Sequence, residues 1–130
     1  MYTLDLSGKK AVVFGIANQR SIAWAISKRL NEAGATIISA YQNERVKDSV
    51  TKLTSELSDV TLIECDVSKE ENVAKCFEEI QKIHGNIDIL VHSIAFAQKE
   101  DLGGRFVDTD RSGFQIALDI SAYSLISITR

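Results

Sequence analysis

Short β-branched or apolar runs alternate along this chain with longer stretches of helical period, and that alternation constrains the fold more than any other feature. Lys10–Gly15 (KAVVFG) is a short apolar run closed by glycine and reads as a strand. Ser21–Ala33 places apolar residues at Ile22, Ala25, Ile26 and Leu30, a helical period, with Ser21 a good N-cap type and Gly34 where a helix should stop. Thr36–Tyr41 (TIISAY) predicts a second strand, and Glu44–Leu57 a helix through Val46, Val50, Leu53 and Leu57. Val60–Cys65 predicts a third strand. Ser68 to Glu71 has the S-x-x-E form of a capping box, opening a helix that runs to about Ile83, with Val73, Phe77 and Ile80 inward and Gly85 as its stop. Ile87–Ser93 predicts a fourth strand, Ile94–Ser112 a loop, and Gly113–Arg130 a last helix. The sum is βαβαβαβα, an α/β fold whose parallel sheet carries helices on both faces through right-handed crossovers.

Composition narrows the function classes. The 130 residues fit one domain, with no linker and no internal repeat. Lys and Arg number 15 against 18 Asp and Glu, a formal net charge of −3, and 45% of residues are apolar. That balance excludes a disordered tail and a strongly basic nucleic-acid binder. No apolar run is long enough for a membrane helix, and the opening MYTLDLSGKKAVVF lacks the basic-then-apolar form of a leader. Cys65 and Cys76 have neither metal-ligand spacing nor enough company for a disulfide framework. A reducing, cytoplasmic setting without a metal is the expectation.

In an open parallel sheet, ligands bind beyond the carboxyl ends of the strands, so the residues after each strand carry the functional question. After the first come Gly15, Ile16, Ala17 and, opening the helix, Ser21 and Ile22. Gly15 allows a tight turn, and free N–H groups at a helix start suit a phosphate, although a plain strand–helix turn explains the residues equally well. After the second strand comes Gln42, able to hydrogen-bond a ribose. Neither it nor Asn43 supplies the cation that a 2′-phosphate needs, while Arg45 and Lys47 lie further on. After the third come Asp66 and Val67, an acid for an adenine amino group and a wall for its ring, or simply an acid near a helix start. After the fourth come Ser93, Ile94, Ala95, Phe96 and Ala97, small residues that let a flat ligand lie on the backbone. Ile94, Phe96 and Leu102 are candidates for an apolar slot. One such segment is weak, but one after every strand is hard to obtain by accident.

The segments LSGKKAVVFGIANQRSIAWAI, AYQNERV, CDV, VHSIAFA and DISAYS resemble the enoyl-(acyl-carrier-protein) reductases of bacterial fatty-acid synthesis, in the short-chain dehydrogenase/reductase superfamily. The resemblance implies a Rossmann-like fold, of which 1–130 would be the N-terminal, cofactor-binding part. It implies an NAD cofactor, with NADH expected over NADPH. Gly15, Ile16, Ala17, Ser21 and Ile22 would hold the pyrophosphate, Gln42 the adenosine ribose, and Asp66 and Val67 the adenine. Ser93, Ile94 and Ala95 would lie by the nicotinamide, with Ala97, Phe96 and Leu102 by the acyl substrate. That substrate would be a trans-2-enoyl thioester on acyl carrier protein. The family's tyrosine and lysine lie beyond DISAYS, so the resemblance places no catalytic residue in this chain and implies a terminus cut inside the last helix. The chain as given is therefore expected to be inactive. Tyr123 and Arg130 mimic the tyrosine–lysine spacing, but Tyr123 reads as a packing residue.

Two further expectations follow from the residues. The fourth strand would be left as a bare edge. From Gly113 to Thr129 the only charge is Asp119, and a helix apolar nearly all round wants burial on two sides, so the full-length parent is expected to be a homo-oligomer (the resemblance implies a tetramer). Competing readings are another short-chain reductase, for instance one acting on ketoacyl thioesters, and a nucleotide-binding half-domain without chemistry. A response-regulator-like α/β fold is more distant, having no reason to place Gly15 and Ser21 this way. His92, in a buried strand, and His84 read as structural histidines.

Overall fold

The computed structural model describes residues 3–130; Met1 and Tyr2 of the opening segment read above lie outside the described residues. Four strands, β1 (Lys10–Phe14), β2 (Thr36–Tyr41), β3 (Thr61–Glu64) and β4 (Ile89–His92), form one parallel sheet in the order β3-β2-β1-β4. The helices are α1 (Ile22–Glu32), α2 (Glu44–Thr54), α3 (Glu70–His84), α4 (Arg111–Leu118) and α5 (Ser124–Thr129), the last two joined by a π-turn over Asp119–Tyr123. Two 3-10 turns, Lys99–Leu102 and Phe106–Asp108, give local order to the segment expected to be loop.

The strand sequences sort their side chains by the pleat, alternate residues going to opposite faces. Val12, Phe14, Ile38, Ala40 and Ile63 point to one side, where they pack with Val73, Cys76 and Ile80 of α3 and Ile128 of α5. Ala11, Val13, Ile37 and Tyr41 point to the other, against Ala23 and Trp24 of α1 and Val50 of α2. Both faces are covered, which is why β1 and β2 are nearly continuous apolar runs. β4 is the edge on one side, with no strand beyond it among the described residues.

Two helix starts differ from the sequence expectation. Lys69, not Ser68, is the N-cap of α3, and no side chain caps it. Both the backbone N–H and the hydroxyl of Ser68 donate to Asp66 Oδ1, at 3.0 and 2.6 Å, so the serine closes a turn one residue too early for a capping box. Ser21 is the N-cap of α1, but its hydroxyl turns back into the preceding loop and leaves the helix uncapped. The fourth strand is shorter than predicted, beginning at Ile89 and ending at His92, with Ser93 N still donating to Phe14 O of β1.

At the opposite end of the sheet from the strand-end loops, His84 Nε2 lies 2.9 Å from Thr61 Oγ1, and Lys10 Nζ donates to the His84 carbonyl. Burial, then the charge of Lys10, holds the His84 imidazole below its ordinary value of 6.5. The folded protein therefore resists a proton that the unfolded chain accepts. Stability is expected to fall as pH drops below about 6.5, before the carboxylates titrate near 4. Urea unfolding at pH 7.5 and 5.5 checks this: His84→Gln should flatten the dependence across that interval, and an unchanged slope would refute it.

Candidate functional site

In order β3-β2-β1-β4, the chain winds from β1 outward through β2 to β3 and then returns to the far side of β1. The topological switch point lies between β1 and β4, where the loops leave in opposite directions and open a crevice. There the two strand-end segments meet closely. Ser93 N donates to Phe14 O at 3.0 Å, and Gly15 faces the Ser93 carbonyl so tightly that a Cβ on Gly15 would sit 2.0 Å from Ser93 O. Gly15 also has φ +117°, a conformation that only glycine adopts without strain.

A crevice of about 690 Å³, counted to its open mouth, runs from this point across the strand ends. Its place beyond the carboxyl ends of the strands suits a ligand. Gly15, Ile16, Ala17, Gln42, Asp66, Val67, Ser93, Ile94, Ala95 and Phe96 line it, so ten of the residues picked from the sequence come together. Ser21, Ile22, Ala97 and Leu102 do not line it. Ser21 acts from behind: its oxygen accepts from Ala17 N at 3.0 Å and Asn18 N at 3.1 Å, drawing the loop into a closed turn. Ile22 is 72% exposed at the start of α1. Ala97 is half-buried beyond Phe96, and Leu102 is 74% exposed in its 3-10 turn, outside the apolar slot proposed for it. Phe14, Ala40, Val46, Cys65 and Ile120 also line the crevice. Phe14, Ala40 and Cys65 lie at strand ends and share one face of the pleat, a period-2 signal present in the sequence. Ile120 had no such signal, since it arrives from the distant π-turn.

The polar groups around the crevice are held in place. Partial burial pushes the Asp66 carboxyl up, but the hydroxyl and N–H of Ser68, with Lys69 at 3.7 Å, outweigh it and hold the group below the usual carboxylate range. It is an anion at neutral pH, able to accept a hydrogen bond. Gln42 is exposed at the end of β2, and beyond it Asn43 caps α2 through Arg45 N at 3.0 Å. Lys47 is drawn to Glu44 at 3.1 Å. Ser121 of the π-turn holds Phe96 by both backbone groups, accepting from its N–H at 2.9 Å and donating to its carbonyl at 3.1 Å. His92 is half-buried with Nε2 2.7 Å from Ser124 Oγ, a structural histidine. Tyr123 does not line the crevice and is 41% exposed. Cys65 and Cys76 are free and buried in one apolar cluster. Among the described residues no cluster of three or more His, Cys, Asp or Glu side chains is placed to hold a metal, and no helix is long and apolar enough to cross a membrane.

A doubly covered parallel sheet with a glycine turn and a helix start at its switch point defines a Rossmann-like α/β domain. Residues 15–130 match the family model described as enoyl-(acyl carrier protein) reductase, and the chain belongs to that family. It is 49% identical over 124 residues to the enoyl-(acyl-carrier-protein) reductase (NADH) of Enterococcus faecalis, covering 95% of this chain and 49% of that protein. It is 47% identical over 124 residues to the NADPH-named reductase of Staphylococcus aureus, covering 94% and 48%. The crystal structure of the Bacillus cereus reductase with NADP+ and indole naphthyridinone superposes with a TM-score of 0.93 at 45% identity, covering 100% of this chain and 51% of that one. The structure of the Aquifex aeolicus reductase (NADH) does so at 0.92 and 40% identity, covering 96% and 50%. The chain spans about half the length of the curated relatives it matches.

Proposed function

We propose that the crevice binds a nicotinamide adenine dinucleotide, and that this chain supplies the cofactor-binding part of a cytoplasmic enoyl-(acyl-carrier-protein) reductase. The observation that carries the reading is convergence: segments following all four strands line one crevice at the switch point of a chain in this family. The residues fit the ligand. Gly15 lets backbone approach where any Cβ would collide, and Ser21 spends its hydroxyl on the loop, leaving the first N–H groups of α1 uncapped for phosphate. Gly15, Ile16, Ala17, Ser21 and Ile22 are assigned to the pyrophosphate, Gln42 to the adenosine ribose, and Asp66 with Val67 to the adenine. Ser93, Ile94 and Ala95 are assigned to the nicotinamide half, and Phe96 and Ala97 to the acyl side. A dinucleotide held there would supply hydride chemistry for the β-carbon of a trans-2-enoyl thioester carried on acyl carrier protein. No residue of this chain is assigned to proton donation or to the nicotinamide ribose.

NADH is the preferred form in this reading. Gln42 and Asn43 are neutral, and Lys47, the cation nearest in sequence after Arg45, is paired with Glu44. Titration of the chain with both cofactors, followed by nicotinamide fluorescence, is expected to give NADH the lower Kd. Gln42→Arg should improve NADPH binding about tenfold by adding a charge-assisted contact to the 2′-phosphate. No NADH binding at millimolar concentration would refute the cofactor assignment, and tighter NADPH binding by the unsubstituted chain would refute the preference.

A further inference from the structure

The helix that begins at Arg111 widens by one residue over Asp119–Tyr123. There the backbone N–H of Ser124 reaches Asp119 O, five residues back, so it is not given to the Ile120 carbonyl as an α-helix would require. The Ser124 hydroxyl takes its place and donates to Ile120 O at 2.5 Å. Serine has one hydroxyl proton. With that proton committed, Ser124 Oγ can only accept from His92 Nε2, 2.7 Å away, and His92 must carry hydrogen on Nε2. Ser124 is fully buried, so water offers its oxygen no alternative.

We propose that Ser124 is a positioning residue: through His92 it holds the end of β4, and with it the Ser93–Ala95 wall of the crevice, against the widened helix turn. The functional meaning rests on the dinucleotide reading above. His92 is the last residue of β4, and the next residue both bonds to Phe14 O and packs against Gly15. A displacement at His92 therefore passes directly to the crevice floor. Ser121 grips Phe96 at the other end of the same short segment. One helix turn thus fixes both ends. Residues three apart share a helix face, so Ser121 and Ser124 both look toward the strand end.

The test compares the unsubstituted chain with Ser124→Ala and Ser124→Thr by 15N NMR and by NADH titration. Threonine keeps a hydroxyl of the kind Thr54 already aims four residues back, at Val50 O. The unsubstituted chain should show a protected His92 Nε2–H resonance. Ser124→Ala should lose it, shift the Ser93, Ile94 and Ala95 amides, and raise the NADH Kd about tenfold, equivalent to roughly 1.4 kcal/mol. Ser124→Thr should restore the ring resonance. The proposal is overturned if the unsubstituted His92 carries its proton on Nδ1, or if Ser124→Ala leaves the ring and the three amides unmoved. Should Ser124→Ala fail to fold, the ring signatures of the unsubstituted chain and Ser124→Thr decide the question: Nε2–H in both supports it, and Nδ1–H in either overturns it. Absence of NADH binding by the unsubstituted chain would sink the dinucleotide reading alone, since the ring and amide signals judge the positioning without any ligand.

Discussion

A Gly15→Ala chain is expected to lose NADH binding by more than about a hundredfold and to be destabilised by about 3 kcal/mol or more. Two independent effects act at this position. The backbone has φ +117°, where an L side chain is strained, and the added Cβ would lie 2.0 Å from Ser93 O and 2.7 Å from its carbonyl carbon. Neither neighbour is the free end of a flexible side chain. Relief requires the β1 and β4 ends to separate, which breaks the bond from Ser93 N to Phe14 O and opens the crevice where the pyrophosphate and nicotinamide are assigned. Two other glycines isolate the terms. Gly85 has φ +74° with nothing near its missing Cβ, so Gly85→Ala carries backbone strain alone. Gly103 has neither constraint, and Gly103→Ala should be neutral in both stability and binding. Thermal unfolding and NADH fluorescence across the three variants form the experiment. A Gly15→Ala chain binding NADH within threefold of the unsubstituted chain would show that the crevice floor is not the cofactor's bed.

The same residue illustrates what a sequence can and cannot display. A glycine closing an apolar run is visible at once, because strand, turn and helix start are local and the periods of 2 and 3.6 residues are written in neighbouring positions. The alternation of β1 to β4 with the helices was legible for that reason, as were most crevice residues, since the sheet topology dictates which end of each strand binds. The approach of Gly15 to Ser93 spans 78 positions and has no local signature. Ser68 shows the opposite error. Its motif was present, but Asp66 two residues earlier offered its N–H and hydroxyl a nearer acceptor than the helix start could use. The π-turn was hidden for a further reason. Gly113–Arg130 reads as one apolar helix, and nothing in its local period marks the widened turn at Asp119–Tyr123, from which Ser121 and Ser124 reach the end of β4. The lining residue Ile120 lies in that turn.

The outward face of this helix predicts how the chain behaves in solution. Phe114, Leu118, Tyr123, Leu125 and Ile126 are exposed along it, and Asp119 is the only charge between Gly113 and Thr129. An uncharged apolar stripe of this length is rare on a surface that faces only water. The chain is expected to self-associate at micromolar concentration through it. The double variant Leu118→Lys, Ile126→Lys should weaken association by more than about a hundredfold. Each removes a side chain whose burial contributes about 1.5–3 kcal/mol, and each leaves an ammonium to be desolvated in the contact. Both positions are exposed in the single chain, so its folding stability should change by no more than about 0.5 kcal/mol per site. Sedimentation velocity over a hundredfold range of concentration separates the possibilities. A monomer throughout would remove the association altogether. Association that persists unchanged in the double variant would move the contact to the open edge of β4, where unpaired backbone groups, insensitive to lysines on the helix, would hold the copies together.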